Sequence, residues 1–361
     1  MRTASMLLFS AAIMTSPTGS ASSPKLIVAA ETRTMVWNAV VVDSGRVFVA
    51  GPRWSGSNGP AVAQLDQHGV PQPYPDADWN AWRPGDDPRD VFVNVNALHR
   101  DHSGGLWVVD TGTPAFGGEP LPEAAKVVRI DLKSGRVTRV IRFGPTAIGS
   151  GSYVDDIRFH GNQAYLTDAG RPGLIVLNLK TGDARRVLDG HPSTTAGGRD
   201  IILDGDVLKA PNGQPLKVNT DPLEVSPDGH WLYFGPLEGP WSRLETRFLD
   251  DPAVSPKDIA SKVEPWADLP PMGGSVMDAN GDLYFSDLAE NALKKRRAAD
   301  GVIITIIQDP RLHWVDAPFI DEHRVIWLPV PQIDRAAMFH GGKSRIAQPI
   351  QLLKMSLDEP G

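Results

Sequence analysis

Residues 96–108, NALHRDHSGGLWV, carry the pattern that decides the fold. A run that starts at a polar residue reaches a turn at Gly104-Gly105 and returns through Trp107, which is flanked by aliphatic residues. Glycines supply the positive φ angles that tight hairpin turns need. The segment therefore predicts two antiparallel strands joined by a short turn.

The pattern recurs five more times along the chain. The other copies are residues 38–49 (NAVVVDSGRVFV), 155–166 (DDIRFHGNQAYL), 221–234 (DPLEVSPDGHWLYF), 274–285 (GSVMDANGDLYF) and 316–328 (DAPFIDEHRVIWL). Each second strand carries an aromatic residue that we expect to pack in the core: Phe48, Trp107, Tyr165, Tyr233, Tyr284 and Trp327. Two further strand-like runs follow several hairpins, most clearly at 126–132 with 136–143 and at 173–179 with 183–188. Six repeats of four antiparallel strands predict an all-β, six-bladed β-propeller.

The sixth repeat is one strand short. After its hairpin only residues 350–355 (IQLLKM) form a good strand. A propeller has to close without a long exposed edge. We therefore predict that the apolar residues 25–30 (KLIVAA) supply the outermost strand of the last blade and close the ring.

The composition narrows the class of protein. The chain has 361 residues, of which 35 are glycine and 32 are proline, as a turn-rich fold requires. There is no cysteine, which excludes disulfides and thiol nucleophiles. The net charge of −7 argues against a nucleic-acid partner. Phosphate-loop, dinucleotide and serine-hydrolase motifs are absent from the sequence, so we expect no nucleotide or flavin cofactor.

The first 21 residues have the layout of a secretory signal. Arg2 is basic, residues 6–14 (MLLFSAAIM) are mostly apolar, and Gly19-Ser20-Ala21 offers small residues for cleavage. We expect a secreted or periplasmic protein with residues 22–361 as one propeller domain. No later apolar run reaches the roughly 18 residues of a membrane span, and we expect a monomer.

The start of each repeat offers candidate functional residues. Innermost strands begin at one mouth of a propeller channel, so residues at that position converge. We call this set the polar ring: Asn38, Asn96, Asp155 or Asp156, Asp221, Gly274 or Ser275, and Asp316. Oxygen ligands from separate strands suit a hard cation such as Ca²⁺ or Mg²⁺, although Asn and Asp also cap strand ends by bonding local backbone.

Aromatic residues outside the repeats are candidates for ligand contact. They are Trp37, Trp79, Trp82, Phe116, Trp241 and Trp314, although packing is the more common role of any one such residue. His313 directly precedes Trp314 near the start of the sixth repeat. The histidines show no His-Glu-x-x-His metal spacing.

Several motifs together resemble the Yellow / major royal jelly protein family, over residues 37–357. They are 45–54 (GRVFVAGPRW), 73–76 (PYPD), 106–112 (LWVVDTG), 165–170 (YLTDAG), 226–237 (SPDGHWLYFGPL), 277–291 (MDANGDLYFSDLAEN) and 308–316 (QDPRLHWVD). The resemblance implies a six-bladed propeller with a small-molecule site at one end of its channel. Insect members are associated with dopachrome-like compounds, with biogenic amines, or with storage.

The fold is also similar to the gluconolactonase and senescence-marker group. That similarity implies a divalent cation (Ca²⁺, Mg²⁺ or Mn²⁺) held at the inner strand starts, here by Asn38, Asp155 and Asp221. A cation there polarises a lactone carbonyl while a carboxylate takes the proton.

Three functions stay open at this point. The first is metal-assisted hydrolysis of a lactone, or isomerisation of a small cyclic compound. Its catalytic residues would be Asp221 and Asp156, with substrate contacts from Asn96, Asp316, Trp314, Trp82 and His313. The second is binding of a small aromatic or amine ligand between Trp314 and Trp82. The third is an interaction scaffold.

Overall fold

The computed structural model describes residues 25–358 and forms a six-bladed β-propeller. Blade 1 consists of β2 (Ala39–Asp43), β3 (Arg46–Ala50), β4 (Val62–Leu65) and β5 (Pro71–Pro73), preceded in the chain by β1 (Ile27–Thr32). Blade 2 consists of β6 (Val95–Arg100), β7 (Gly105–Asp110), β8 (Lys126–Asp131) and β9 (Arg136–Arg142). Blade 3 consists of β10 (Val154–His160), β11 (Gln163–Asp168), β12 (Leu174–Asn178) and β13 (Ala184–Val187).

Residues 188–219, which we call the insert, connect blades 3 and 4. The insert contains the two-stranded hairpin β14 (Ile202–Leu203) and β15 (Asp206–Val207). Blade 4 consists of β16 (Thr220–Val225), β17 (Trp231–Pro236), β18 (Trp241–Glu245) and β19 (Glu264–Ala267). Two short helices, α1 (Thr246–Asp250) and α2 (Pro256–Ala260), lie between β18 and β19.

Blade 5 consists of β20 (Met272–Met277), β21 (Leu283–Asp287), β22 (Ala292–Arg296) and β23 (Ile303–Gln308). Blade 6 contains β24 (Phe319–Ile320), β25 (Val325–Val330) and β26 (Ile350–Ser356). Residues 331–349, which we call the sixth-blade loop, connect β25 to β26 and contain the 3₁₀ turns Ile333–Arg335 and Ala337–His340. Two other 3₁₀ turns are Arg53–Ser55 and Pro310–Leu312.

The N-terminal strand closes the ring as the sequence predicts. In the sixth sheet the strand order is β1-β26-β25-β24, so β1 is the outermost strand of the last blade. It runs antiparallel to β26, with Ile27 opposite Lys354 and Thr32 opposite Ile350. The first and last strands of the described chain therefore share one blade.

The repeat aromatics pack in the core. Five of the six are buried, and the sixth, Tyr233, is half-buried and stacks on Trp266 with ring centroids 4.1 Å apart. The hairpin of the sixth repeat has no glycine, and Arg324 takes the left-handed conformation there, with φ of 55°.

Within residues 25–358, the helices are all too short to cross a membrane. The predicted signal segment, residues 1–21, lies outside the described residues.

Candidate functional site

Polar side chains from five blades meet in one pocket at the centre of the propeller. This channel pocket has about 550 Å³ of empty space, counting the part that is open to solvent at its mouth. Its polar lining residues are Asn38, Asn96, Asp155, Asp221 and Asp316. The structure thus brings the predicted polar ring together from positions up to 278 residues apart in sequence (316 minus 38).

Strand bulges explain why three of these residues, Asn96, Asp155 and Asp221, face the channel. In β6 the pairing register shifts between Val95 and Ala97, which frees Asn96 from the ladder. Comparable shifts surround Asp155 in β10 and Asp221 in β16. A bulged residue has no direct partner on the neighbouring strand, and its side chain is re-aimed. The bulges therefore direct polar residues, which are poor in regular strands, into the channel.

The fifth blade contributes backbone where the others contribute a polar side chain. Gly273 lines the pocket, and a Cβ atom built on it would lie 2.3 Å from the carbonyl oxygen of Val315. On Gly274 a Cβ atom would lie 2.6 Å from the carbonyl carbon of Asp316. Only glycine fits here, because the chain of the sixth blade passes directly against β20. Asp316 fills the space that a fifth-blade side chain would need.

Carboxylates at the ends of second strands hold the segments that enter the ring. Asp110 accepts hydrogen bonds from the backbone N–H groups of Val93 (2.8 Å) and Asn94 (2.9 Å) and pairs with the buried Lys126 (2.9 Å). In the next blade, Asp168 accepts from the N–H of Tyr153 (2.7 Å) and pairs with Arg186 (2.7 Å). These aspartates belong to the LWVVDTG and YLTDAG motifs, whose role here is to fix the approach to Asn96 and Asp155.

The carboxyl groups of the ring disfavour one another's ionisation. Burial raises the pKa of Asp155 well above its usual range, and the Asp221 carboxylate adds to the effect. Burial also raises the pKa of Asp221 to about 7. The pKa of Asp316 is raised for the same two reasons, burial first and then Asp221. Without a positive partner, the ring keeps protons that exposed carboxylates would release.

The two asparagines of the ring differ in their hydrogen bonding. Asn96 donates through Nδ2 to Oδ1 of Asp155 and accepts through Oδ1 from the Tyr153 hydroxyl (3.0 Å). Asn38 is only 2% exposed, and its Oδ1 has no hydrogen-bond partner among the described residues. A buried carbonyl oxygen without a donor is costly and is free to coordinate a cation.

The ring residues fit a cation held by a mixed set of oxygens. Within residues 25–358 there is no group of three carboxylate, histidine or cysteine side chains arranged as a metal site. A cation at this position would be shared by the carboxylates of Asp155 and Asp221 and the amide oxygen of Asn38. That donor set suits a hard divalent cation.

Aromatic and aliphatic side chains form the outer part of the channel pocket. Tyr153, Trp54 and Phe116 form one side, with tilted ring pairs at 5.1 Å (Trp54–Phe116) and 5.5 Å (Phe116–Tyr153). Trp314 forms another side and has a left-handed backbone with φ of 53°, a strained conformation for a large residue. The insert adds Leu216 and Val218, and the sixth-blade loop adds Ile333 and Phe339.

Sequence reasoning identified Phe116 and Trp314 but missed the other pocket aromatics. Tyr153 lies two residues before Asp155, and the two-residue period of a strand is the signal that could have found it. Trp54 and Phe339 lie in loops whose paths the repeat pattern does not specify.

Five predicted ligand contacts lie elsewhere. Three of them, Trp37, Trp79 and Trp241, pack against the hydrophobic core. Trp82 is buried against Val93 and Ala124, and its indole N–H donates to the carbonyl of Asp86 (3.3 Å). The prediction that it walls the pocket is therefore wrong, because the chain after β5 carries it to the side of blade 2. Nor does His313 line the pocket. Its Nε2 lies 2.9 Å from Asp334 on the sixth-blade loop and its Nδ1 lies 3.9 Å from Asp204 on the insert, so it joins the two segments that cover the mouth.

Asp156 faces away from the channel pocket. Its carboxylate pairs with Arg158 at 2.6 Å, and Arg158 also binds Glu224 at 2.9 Å. Burial raises the pKa of Asp156, but Arg158 opposes the shift. The residue lines the cavity at the opposite mouth and a smaller one behind the ring. The catalytic role that the sequence predicts for Asp156 stays a prediction, because Asp156 and Asp221 line the smaller cavity together.

Comparison with solved structures gives the same architecture. The chain is similar to virginiamycin B lyase from Staphylococcus aureus, with 13% identity, coverage of 92% of this chain and 99% of that one, and a TM-score of 0.53. It is also similar to a gluconolactonase from Xanthomonas campestris, with 14% identity, coverage of 93% and 90%, and a TM-score of 0.54. At these identities the likeness shows the propeller fold alone.

The comparison of sequences gives the family. No curated protein matches the chain. The major royal jelly protein family model matches residues 93–309, from just before β6 to just after β23 and more than half of the chain. The chain therefore belongs to the major royal jelly protein family.

Proposed function

We propose that this protein is a small-molecule hydrolase or isomerase that acts on a lactone or a related cyclic compound in the channel pocket. The observation that carries the proposal is the convergence of Asn38, Asp155 and Asp221 in one buried pocket, with Oδ1 of Asn38 left without a donor. These three residues would hold one divalent cation. When bound, such a cation supplies Lewis-acid polarisation of a substrate carbonyl.

In this proposal the outer part of the pocket binds the ligand and the polar ring carries out the chemistry. Trp54, Phe116 and Trp314 surround the body of a ligand, and the ring lies beneath it. The residues that line the pocket include no lysine, arginine or histidine. This lining disfavours anionic substrates such as phosphate esters and favours neutral or cationic ones.

Asp316 is the best-placed residue to move a proton. It lines the pocket from the sixth blade, outside the proposed cation ligands, and its Oδ1 accepts the N–H of Ala317 at 2.9 Å. Its raised pKa lets the carboxyl hold a proton at a higher pH than an exposed aspartate does. Asp156 lacks this access because Arg158 neutralises it on the other side of the ring.

The cover over the mouth would limit the entry of bulk water, of which hydrolysis consumes one molecule. Leu216 from the insert and Phe339 from the sixth-blade loop both contact the pocket, and His313 joins the two segments. Exclusion of water strengthens the electrostatic interactions inside a site. A substrate would enter when these segments separate.

A panel of lactones, assayed with calcium, magnesium or manganese and again with a chelator, tests the proposal. We expect turnover of at least one lactone that the chelator abolishes. Asp316→Asn should remove turnover without removing cation binding, whereas Asp221→Asn should remove both. Asp76→Asn is the matched control, since that carboxylate is exposed and far from the pocket lining. Turnover that survives Asp316→Asn would contradict the assignment of Asp316.

One observation favours a second candidate function, the binding of a small aromatic amine without turnover. The carboxyl groups of the ring lie below aromatic side chains, and this combination also suits an ammonium group. Titration of tyramine into the cation-free protein distinguishes the two. Tight binding of tyramine, together with no effect of divalent cations, would favour the amine-binding function over the hydrolase.

A further inference from the structure

The hydroxyl group of Tyr153 lies at a junction between the first three blades. It is 2.9 Å from the indole nitrogen of Trp54, 3.4 Å from Nδ2 of Asn94 and 3.0 Å from Oδ1 of Asn96. Tyr153 is only 4% exposed. A buried hydroxyl with three partners is a constrained element of the site.

The direction of each hydrogen bond at this junction follows from the chemistry of the partners. An indole N–H only donates, so Trp54 donates to the Tyr153 hydroxyl. Oδ1 of Asn94 accepts from the backbone N–H of Arg53 at 3.0 Å, which turns Nδ2 of Asn94 toward Tyr153. The hydroxyl thus receives two donors, and its own proton must go to the remaining neighbour, Asn96.

That proton fixes the orientation of the Asn96 amide. Since Oδ1 of Asn96 accepts from Tyr153, its Nδ2 is the end that faces Asp155, where it donates to Oδ1. Asn38, at the equivalent position of the first blade, has no such partner at its Oδ1. The same residue type therefore presents a donor in the second blade and a free oxygen in the first.

We infer that Tyr153 is a positioning residue that holds Asn96 with its N–H group toward Asp155 and so keeps that carboxylate oriented for cation binding. The inference rests on the proposed function, in which Asp155 is a cation ligand. Without the hydroxyl, Oδ1 of Asn96 loses its donor, and the amide is free to rotate out of line with the Asp155 carboxylate. Asp155 then loses a donor and its fixed orientation.

A double-mutant cycle on cation affinity tests the inference. Loss of a hydrogen bond to a charged group corresponds to about a tenfold or larger change in affinity. We expect Tyr153→Phe to raise the dissociation constant for Mn²⁺ about tenfold, as measured by calorimetry. In the Asn96→Ala background, Tyr153→Phe should have no further effect. An equal weakening in both backgrounds, or none in either, would overturn the inference.

Tyr165→Phe is the matched control. Its hydroxyl is also largely buried and bonds Asp250 at 2.5 Å, but it lies in the core of blade 3 and does not line the channel pocket. It should lower the melting temperature and leave the Mn²⁺ dissociation constant unchanged. The control thus distinguishes loss of positioning from general loss of stability.

A second readout keeps the inference testable if the protein binds no cation. In cation-free buffer, the melting-temperature losses of Tyr153→Phe and Asn96→Ala should be clearly non-additive, because both remove the same hydrogen bond. Strictly additive losses would overturn the inference by themselves. Non-additive losses without cation binding would retain the hydrogen-bond junction while rejecting the proposed function.

Discussion

A single hydrogen bond decides which end of the amide Asn38 and Asn96 each present to the channel. Both lie at the start of the innermost strand of their blade, and both line the channel pocket. Asn96 gives its oxygen to Tyr153, whereas the oxygen of Asn38 is buried without a donor. The sequence predicts that both residues face the channel. It could not show which end of each amide is available, because that depends on neighbours from other blades.

Asn38→Asp should have opposite effects with and without a cation. In cation-free buffer a third buried carboxylate beside Asp155 and Asp221 should lower the free energy of unfolding by about 1–3 kcal/mol. With Ca²⁺ present, the added charge should strengthen binding about tenfold. Denaturant unfolding and calorimetry measure the two effects. Asn38→Leu, which has a similar volume and no oxygen, is the control and should weaken binding. A variant that loses stability but gains no affinity would contradict the assignment of Asn38.

The raised pKa of Asp221 predicts how stability depends on pH. The folded-state pKa of about 7 exceeds the value of about 3.9 for an unfolded aspartate. Between these values the folded state binds more protons, so this group's contribution to stability is fully present below pH 4 and is lost as the pH rises through 7. In cation-free buffer, wild type should therefore lose stability relative to Asp221→Asn between pH 4 and 8. A difference in melting temperature that stays constant across this range would contradict the prediction.

At the level of strands, bulges in β6, β10 and β16 direct Asn96, Asp155 and Asp221 from regular hairpins into the polar ring. The repeat pattern predicts the hairpins because apolar alternation and turn residues are local signals. It does not predict the bulges, which arise where a polar residue is more stable in the channel than in the ladder. For this reason the sequence alone does not show whether Asp155 or Asp156 belongs to the polar ring. In the structure Asp155 lines the channel pocket, and Asp156 pairs with Arg158.

Gly273→Ala tests the close contact between the fifth and sixth blades. The new methyl group would meet the Val315 carbonyl oxygen at 2.3 Å and the Trp314 ring at 3.0 Å, so the inner strand must shift. Such overpacking costs about 1–3 kcal/mol, and it should also disturb ligand binding at Trp314. Gly144→Ala is the control, because its Cβ atom would meet nothing within 4 Å. Equal unfolding free energies for the two variants would show that β20 is not tightly held.

At the scale of the whole molecule, ring closure depends on the chain's N-terminal strand. The sequence predicts this pairing from a count of strands alone, and the structure confirms it. The two segments that cover the channel could not be predicted from the repeat pattern. The insert and the sixth-blade loop have no repeat counterpart, and their packing on the mouth is set by long-range contacts such as those of His313.

Removal of the residues before Arg33 should destabilise the whole propeller. The truncation strips β1 from β26 and exposes the buried side chains that Leu26 and Ala30 cover. We expect a loss of roughly 3 kcal/mol or more in the free energy of unfolding, together with association through the new edge. A chain starting at Ser22 is the control. Denaturant unfolding and size-exclusion chromatography measure both effects, and an equally stable monomeric truncation would show that β1 does not close the ring.

We propose that the polar ring holds a divalent cation through Asn38, Asp155 and Asp221. Calorimetric titration of Ca²⁺ and Mn²⁺ into chelator-treated wild type and into the Asp155→Asn/Asp221→Asn variant, with thermal unfolding in parallel, measures this directly. We expect one site per chain in wild type, a stability gain of about 2.7 kcal/mol at 100 times the dissociation constant, and no binding in the variant. Absence of binding of either cation to folded wild type, or undiminished binding in the variant, would contradict it.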